Sequence, residues 1–254
     1  MKTLCNNLIN YAHTETEDVT KIAFSNHVHS EYEFLYFLNG KADYIINGSV
    51  YNLRKRDFLL IQPGEYHRLI PTPGFTYERV CLHFSPFAVP DEYKDAIKML
   101  KPVVHVQKYS AIDNVFSALI NAGNENEYSE DDMRYLITQN IGIILAHLKY
   151  LQAKEYVTPA STNQFINSIL DYVDQNITKL INVNTLSKVF FKSPSTISHC
   201  FAKEMKYPIQ QYILNKKIVY AQTLIQHGAT PTSVALELSF KDYSTFFKAY
   251  KRIL

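Results

Sequence analysis

The 254-residue sequence contains no tryptophan, 7 glycines and 3 cysteines, and no apolar run approaches the ~20 residues of a membrane span. So little glycine fits the composition of a soluble globular protein. Cys5, Cys81 and Cys200 form an odd, scattered set without CxxC spacing, which argues against a disulfide framework and for a reduced compartment. The opening MKTLCNNLINYAHTETED has one lysine and no apolar stretch long enough for a signal peptide. The expectation is a cytoplasmic protein without a membrane partner.

What is present is a globular composition: 46% hydrophobic, 20% charged, with 19 Tyr and 15 Phe to fill cores. The length suits one large or two ordinary domains. The net charge of +2 hides an asymmetry. Residues 163–254 hold 11 Lys and Arg against 5 Asp and Glu, leaving 15 against 19 in residues 1–162. The basic third is therefore the region to search for a polyanion partner.

Residues 22–86 alternate in the manner of strands, punctuated by turn signals. YEFLYFL runs into Asn39-Gly40, ADYII into Asn47-Gly48, DFLLIQ into Pro63-Gly64, and YERVCLHF follows Pro73-Gly74. Evenly spaced short strands predict an antiparallel sandwich or barrel. From about Asp91 the texture turns helical. AIDNVFSALINAG and the longer DDMRYLITQNIGIILAHLKYLQ repeat apolar residues at three and four, the second with a wide apolar face to bury against the barrel or a second copy of the chain. VTPASTNQ at 157–164 is short and polar and reads as a linker. Beyond it lie short helical segments and one long helix, about Ile209 to Gln226.

An internal repeat occupies this last part. SPSTISHCFAKEM at 193–205 aligns with DYSTFFKAYKRIL at 242–254: Ser193 with Asp242 as caps, Ser195-Thr196 with Ser244-Thr245, Ile197 with Phe246, Phe201 with Tyr250. Each unit is a short helix, a tight turn and a second, capped helix, the plan by which a helix enters the DNA major groove. Ile197, Cys200, Phe201 and Met205, and Phe246 and Tyr250, take the inner faces. Ser195, Thr196, Ser198, His199 and Lys203, with Ser244, Thr245, Lys248 and Lys251, face out as candidate DNA-binding residues, hydroxyls and His199 or Lys248 for base edges and lysines for phosphates. A plain helical bundle with solvated Ser and Lys faces is the competing reading of the spacing. The 18-residue helix joining the units spans about 27 Å at 1.5 Å per residue, enough to set two recognition helices roughly one DNA turn apart.

At LSKVFFKSPSTISHCFAKEMKYPIQQYILNKKIVYAQTLI and SVALELSFKDYSTFFKAYKR the chain resembles the AraC/XylS-type transcription factors, over roughly residues 165–254. Ala235, Phe240, Asp242, Ser244, Phe246, Lys248, Tyr250 and Lys251 carry the more specific half. The resemblance extends to the N-terminal part, which looks like the cupin sensor barrel of such regulators. It implies an α+β chain of two domains: an N-terminal antiparallel cupin-like β-barrel with trailing helices and a C-terminal all-α double helix-turn-helix. It implies residues 1–155 as an effector-binding domain whose helical segment, about 91–155, mediates dimerisation, 156–164 as linker, and 165–254 as the DNA-binding domain. The implied partners are double-stranded DNA, a small-molecule effector and a second copy of the chain. The chain departs from the family where its usual turn glycines are replaced by Phe191 and Ser239, and the glycine after the first recognition helix by Lys206, each pointing to backbone strain or a reshaped turn. Lys217 and Lys248 stand where arginine is common. Ending at KRIL, the sequence lacks a closing segment that many members have, which leaves an early natural end or a truncated chain as alternatives.

His27, His29, Glu33 and Gly40 make the cupin motif HxH-x3-E-x6-G in full. The second motif is partial: Pro63-Gly64-Glu65-Tyr66-His67 keeps the glycine three before a histidine, while Pro71 occupies the usual asparagine position. Such N/O donors facing a barrel interior suit Zn, Fe, Mn or Ni, with His27, His29, Glu33 and His67 as the candidate ligands. The other reading makes the same residues hydrogen-bonded sheet residues or lining for an organic effector. We take the second, with no catalytic residue and no metal cofactor expected, and His27, His29, Glu33, Tyr36, Tyr66, His67, Arg79 and His83 as effector-binding candidates. A metal-dependent cupin enzyme with an accessory helical domain remains the alternative from another class. A third reading is a binding module whose DNA affinity has decayed.

Overall fold

The computed structural model describes residues 2–5, 9–17, 27–108, 110–124, 128–152 and 154–253. Positions 22–26 of the alternating stretch and Leu254 lie outside the described residues. Among the described residues, nine strands precede eight α-helices: β1 Lys2–Cys5, β2 Ile9–Thr16, β3 Tyr32–Asn39, β4 Ala42–Ile46, β5 Ser49–Leu53, β6 Asp57–Ile61, β7 His67–Pro71, β8 Tyr77–Phe84 and β9 Val103–His105. The helices are α1 Ala111–Asn124, α2 Glu130–Leu151, α3 Gln164–Gln175, α4 Val183–Phe190, α5 Pro194–Met205, α6 Ile209–Gln226, α7 Pro231–Glu237 and α8 Tyr243–Ile253. Among the described residues no helix is long and apolar enough to cross a membrane.

The strands form two antiparallel sheets, β1-β2-β8-β3-β6-β9 and β5-β4-β7. Asn47 and Gly48 both take positive φ in the tight β4–β5 connection, as a hairpin of this kind requires. Because side chains alternate across a strand, β3 serves two cores. Leu35 and Phe37 point between the sheets, onto Tyr44, Leu59, Leu69 and Tyr77. Phe34 and Tyr36 point the other way, toward Phe116 on α1 and the Ile137, Ile141 and Ile144 face of α2. The wide apolar face of α2 is thus largely used within the chain. A capping box opens α2, Ser129 and Asp132 exchanging side-chain-to-backbone hydrogen bonds.

The linker is an extended strap along the sheets. Val157 N donates to Val103 O at 3.0 Å, Val50 N to Ser161 O at 2.9 Å and Ala160 N to Val50 O at 2.6 Å. Asn163 then caps α3. In the helical half every predicted segment is a helix, capped by Asn182, Ser193, Thr230 and, through its carboxylate at 2.7 Å from Thr245 N, Asp242. Two cores separate the units: Ile197, Phe201 and Tyr212 belong to one, Ile218, Val234 and Phe246 to the other.

The turns resolve the glycine question. Phe191, Lys206 and Ser239 take φ of 52°, 54° and 56°. The left-handed conformation is kept, and non-glycine residues bear its steric cost. Ser239 gains a local offset, its Oγ donating to Thr178 O at 2.9 Å.

Candidate DNA-binding face and histidine cluster

Helices α5 and α8 split their residues cleanly. Ile197, Phe201 and Met205 on α5 and Phe246 and Ala249 on α8 are buried, while Cys200 and Tyr250 are half-buried. Ser195, Thr196, His199 and Lys203, and Ser244, Thr245, Lys248 and Lys251, are exposed. Ser198 is half-buried in a hollow shared with Asn182 and Gln210. The Thr196 hydroxyl lies 2.8 Å from Ser193 Oγ, so part of its hydrogen-bonding capacity is used inside the cap. Sequence reasoning passed over exposed Arg252, which adds a cation to the last turn of α8. It also passed over the role of Lys217. That residue is 6% exposed, its Nζ donating to Lys179 O at 2.8 Å and Leu238 O at 2.6 Å, a pin between α6, the α3–α4 connection and the end of α7.

In the β domain Glu33, 2% exposed on β3, gathers three rings. Its Oε2 lies 3.2 Å from His29 Nε2, 3.2 Å from His67 Nε2 and 3.3 Å from His83 Nε2. His83 arrives because β3 and β8 pair with Glu33 opposite His83. His27 joins through an isolated bridge to His67, their rings 4.2 Å apart. Burial alone would push the Glu33 carboxyl up, but hydrogen bonds from His29, His67 and His83 hold it well below the usual range. For His29 burial disfavours the charge, and Glu33's hydrogen bond and charge overcome that and raise its pKa.

Tyr36, Tyr66 and Arg79 are not brought into this cluster, each for its own reason. Tyr36 stands three residues from Glu33 and so faces the opposite side, its hydroxyl donating to Asp113 at 2.5 Å. Tyr66 precedes His67 by one and turns out of the sheets into the helical core, 4.6 Å from the Tyr207 ring and 6.2 Å from Tyr212. Arg79, half-buried, is on the inner face but pairs with Phe37 further along β3.

A cavity of about 380 Å³ opens where the β domain meets α6. Pro63, Phe87 and Tyr220 are among its apolar walls, and its lysines are each paired with a carboxylate, Lys216 with Asp174 at 2.7 Å, Lys98 with Asp95 at 3.0 Å and Lys94 with Asp91. Sequence reasoning missed this site, since its walls come from segments far apart in the chain.

The family model described as AraC-like ligand binding domain matches residues 14–137, and the helix-turn-helix domain model matches 186–254. The probable transcriptional regulator LumQ of Photobacterium leiognathi is 32% identical over 91 residues, which span 35% of this chain and 37% of that protein. The uncharacterized HTH-type transcriptional regulator YdiP of Escherichia coli (strain K12) is 23% identical over 256 residues, 94% of this chain and 83% of that one. Among solved structures, ToxT from Vibrio cholerae O395 bound to (E)-4-(8-methylnaphthalen-1-yl)but-3-enoic acid aligns over 97% of this chain and 95% of its own, at 14% identity and a TM-score of 0.43, too loosely for sites to be carried across. The two matched models, in this order along one chain, place it in the AraC-type family of transcription regulators, with an N-terminal ligand-binding domain and a C-terminal helix-turn-helix DNA-binding domain.

Proposed function

We propose that this regulator reads duplex DNA as a cytoplasmic homodimer, each copy laying α5 and α8 into successive major-groove segments on one face. The observation that carries this is the paired arrangement itself: two capped helices, buried on one side and polar on the other, joined by the 18-residue α6. His199 and the serine and threonine hydroxyls are the base-edge readers, and Lys203, Lys248 and Lys251 neutralise phosphates. The outward side of α2, with Tyr135 67%, Ile143 45% and Tyr150 61% exposed, supports dimerisation there. The reading assigns no catalytic step.

The interdomain cavity supports a mid-sized, largely apolar effector. Its volume suits a small ligand, Pro63, Phe87 and Tyr220 line it, and walls from both domains let a ligand bias how they sit. Selection from a random duplex pool by the full-length protein tests the DNA reading. An enriched motif of two blocks about one helical turn apart is expected, and a pool that stays random after repeated rounds overturns it.

A further inference from the structure

Lys203 belongs to the outward stripe of α5, one helical turn beyond His199 and two beyond Ser195, so the three side chains run along one face of the helix. The stripe does not end in open solvent. Where α5 stops, the β domain comes alongside: a Cβ added to Gly48, at the tip of the β4–β5 hairpin, would lie 3.3 Å from Met205 Sδ and 3.5 Å from Ile166 Cγ2. Beside this contact opens a groove of about 770 Å³. Ser161 and Thr162 of the strap also line it, Val50 N donating to Ser161 O at 2.9 Å and Thr162 Oγ1 lying 3.2 Å from Ser49 Oγ.

Among the described residues that line the groove, Arg68, Lys203 and Lys206 are cationic and Glu204 alone is acidic. The two lysines have a reason to stand there that needs no ligand, since cations at a helix C-terminus complement its dipole. Arg68 has no such reason. It lies on β7 between buried His67 and buried Leu69, and alternation turns it out of the sheet. It is opposite Ile45 of β4, which is opposite Val50 of β5, and both of these line the groove as well. Apolar cross-strand neighbours cover an arginine's stem and leave its guanidinium at the surface, and Arg68 is half-buried.

We propose that this groove takes the phosphate backbone of the duplex beside the block that α5 reads, with Arg68 of the β domain and Lys203 of α5 on its phosphates. Continuity and charge select this occupant. Lys203 is shared by the stripe and the groove, so a backbone passing the outer end of α5 meets the groove's cations next. A guanidinium matches phosphate oxygens in geometry as well as charge. Such a contact carries no base preference, which separates Arg68 from His199. It also gives the β domain a direct hold on affinity, because a shift of the β4–β5 hairpin against α5 moves Arg68 relative to the duplex. The proposal rests on the DNA-binding reading of α5.

The test compares full-length wild type, Arg68→Gln and Arg68→Lys on selected and random duplex at about 50 and 200 mM salt, where each phosphate contact contributes about 0.9 to the salt slope. Arg68→Gln should bind both duplexes more weakly, and its loss of affinity between the two salt concentrations should be about threefold smaller than that of the wild type. Arg68→Lys should keep the wild-type slope. Ethylating phosphates beside the block that His199→Ala affects should hinder the wild type and leave Arg68→Gln indifferent. Circular dichroism confirms that both variants are folded. Equal slopes for wild type and Arg68→Gln overturn the contact, as does tighter binding by Arg68→Gln, which would mean that the β domain obstructs the duplex. An Arg68→Lys slope matching that of Arg68→Gln overturns it too, by showing that shape rather than charge was lost. A wild type that does not prefer the selected duplex over the random one sinks the regulator reading and this one together, whereas specific binding untouched by either variant sinks this one alone.

Discussion

Glu33 and His67 in the β domain are 2% and 1% exposed, whereas the polar residues of α5 and α8 share helical turns with buried Ile197, Phe201 and Phe246 yet stand open to solvent. One half of the molecule turns its chemistry inward and the other outward. An inward cluster can hold only something small enough to enter, and an outward stripe of hydroxyls, imidazole and lysines can meet only a large surface. The contrast separates sensing from reading before any partner is named.

Lys217 breaks the pattern, being a cation buried in the outward-facing half. Its ammonium serves two backbone carbonyls, so Lys217→Ala leaves both without a donor and should cost about 3 kcal/mol, read as an earlier urea midpoint. An unchanged midpoint would mean Lys217 belongs with the solvated lysines after all.

The outward face can be sharpened by separating its two kinds of contact. His199→Ala should cost about 1–3 kcal/mol on the selected duplex and relax preference at one block of the motif. Lys251→Ala should weaken all sequences alike and lower the salt slope by about one. Identical effects on selected and random duplex from both variants would erase the distinction between base and phosphate contacts.

A smaller effect belongs to the turn before α5. Phe191 is 92% exposed at φ 52°, so its ring contributes little burial while its backbone bears strain. Phe191→Gly should raise stability by about 0.5–1 kcal/mol, the relief exceeding the added freedom of the unfolded chain. Destabilisation would show that the ring has a partner within the fold.

The smallest effect is at the α8 cap. The hydrogen bonds from Thr245 hold Asp242 below its usual 3.8. A depressed folded pKa means stability present above 3.8 and lost as pH falls through the folded value. Asp242→Asn should flatten that acid limb slightly, and an unaltered limb would remove the cap from the account.

The helical half was almost wholly legible, because capping residues announce helix starts and Gly228 and the prolines punctuate the rest. Half of the β domain was not. β2 alternates through INYAHTET, too polar to stand out, and β5, β7 and β9 are short strands whose partners define them. At the site, His27, His29 and Glu33 were readable from local spacing. Tyr36 faces α1 and Tyr66 the helical core, orientations set by the alternation of β3 and by the turn before β7, and the approach of His83 to Glu33 depends on a register no local pattern carries. The contacts of His29 and His67 Nδ1 with the Glu31 and Glu65 carbonyls are likewise visible only in three dimensions.

The central claim is that α5 and α8 read one face of one duplex together. Hydroxyl-radical footprinting of the full-length protein on the selected duplex tests it directly. The account predicts, for each bound chain, two protected segments centred about one helical turn apart on the same face, with His199→Ala exposing one and Lys248→Ala the other. A single protected segment per chain, insensitive to one of those substitutions, would contradict it.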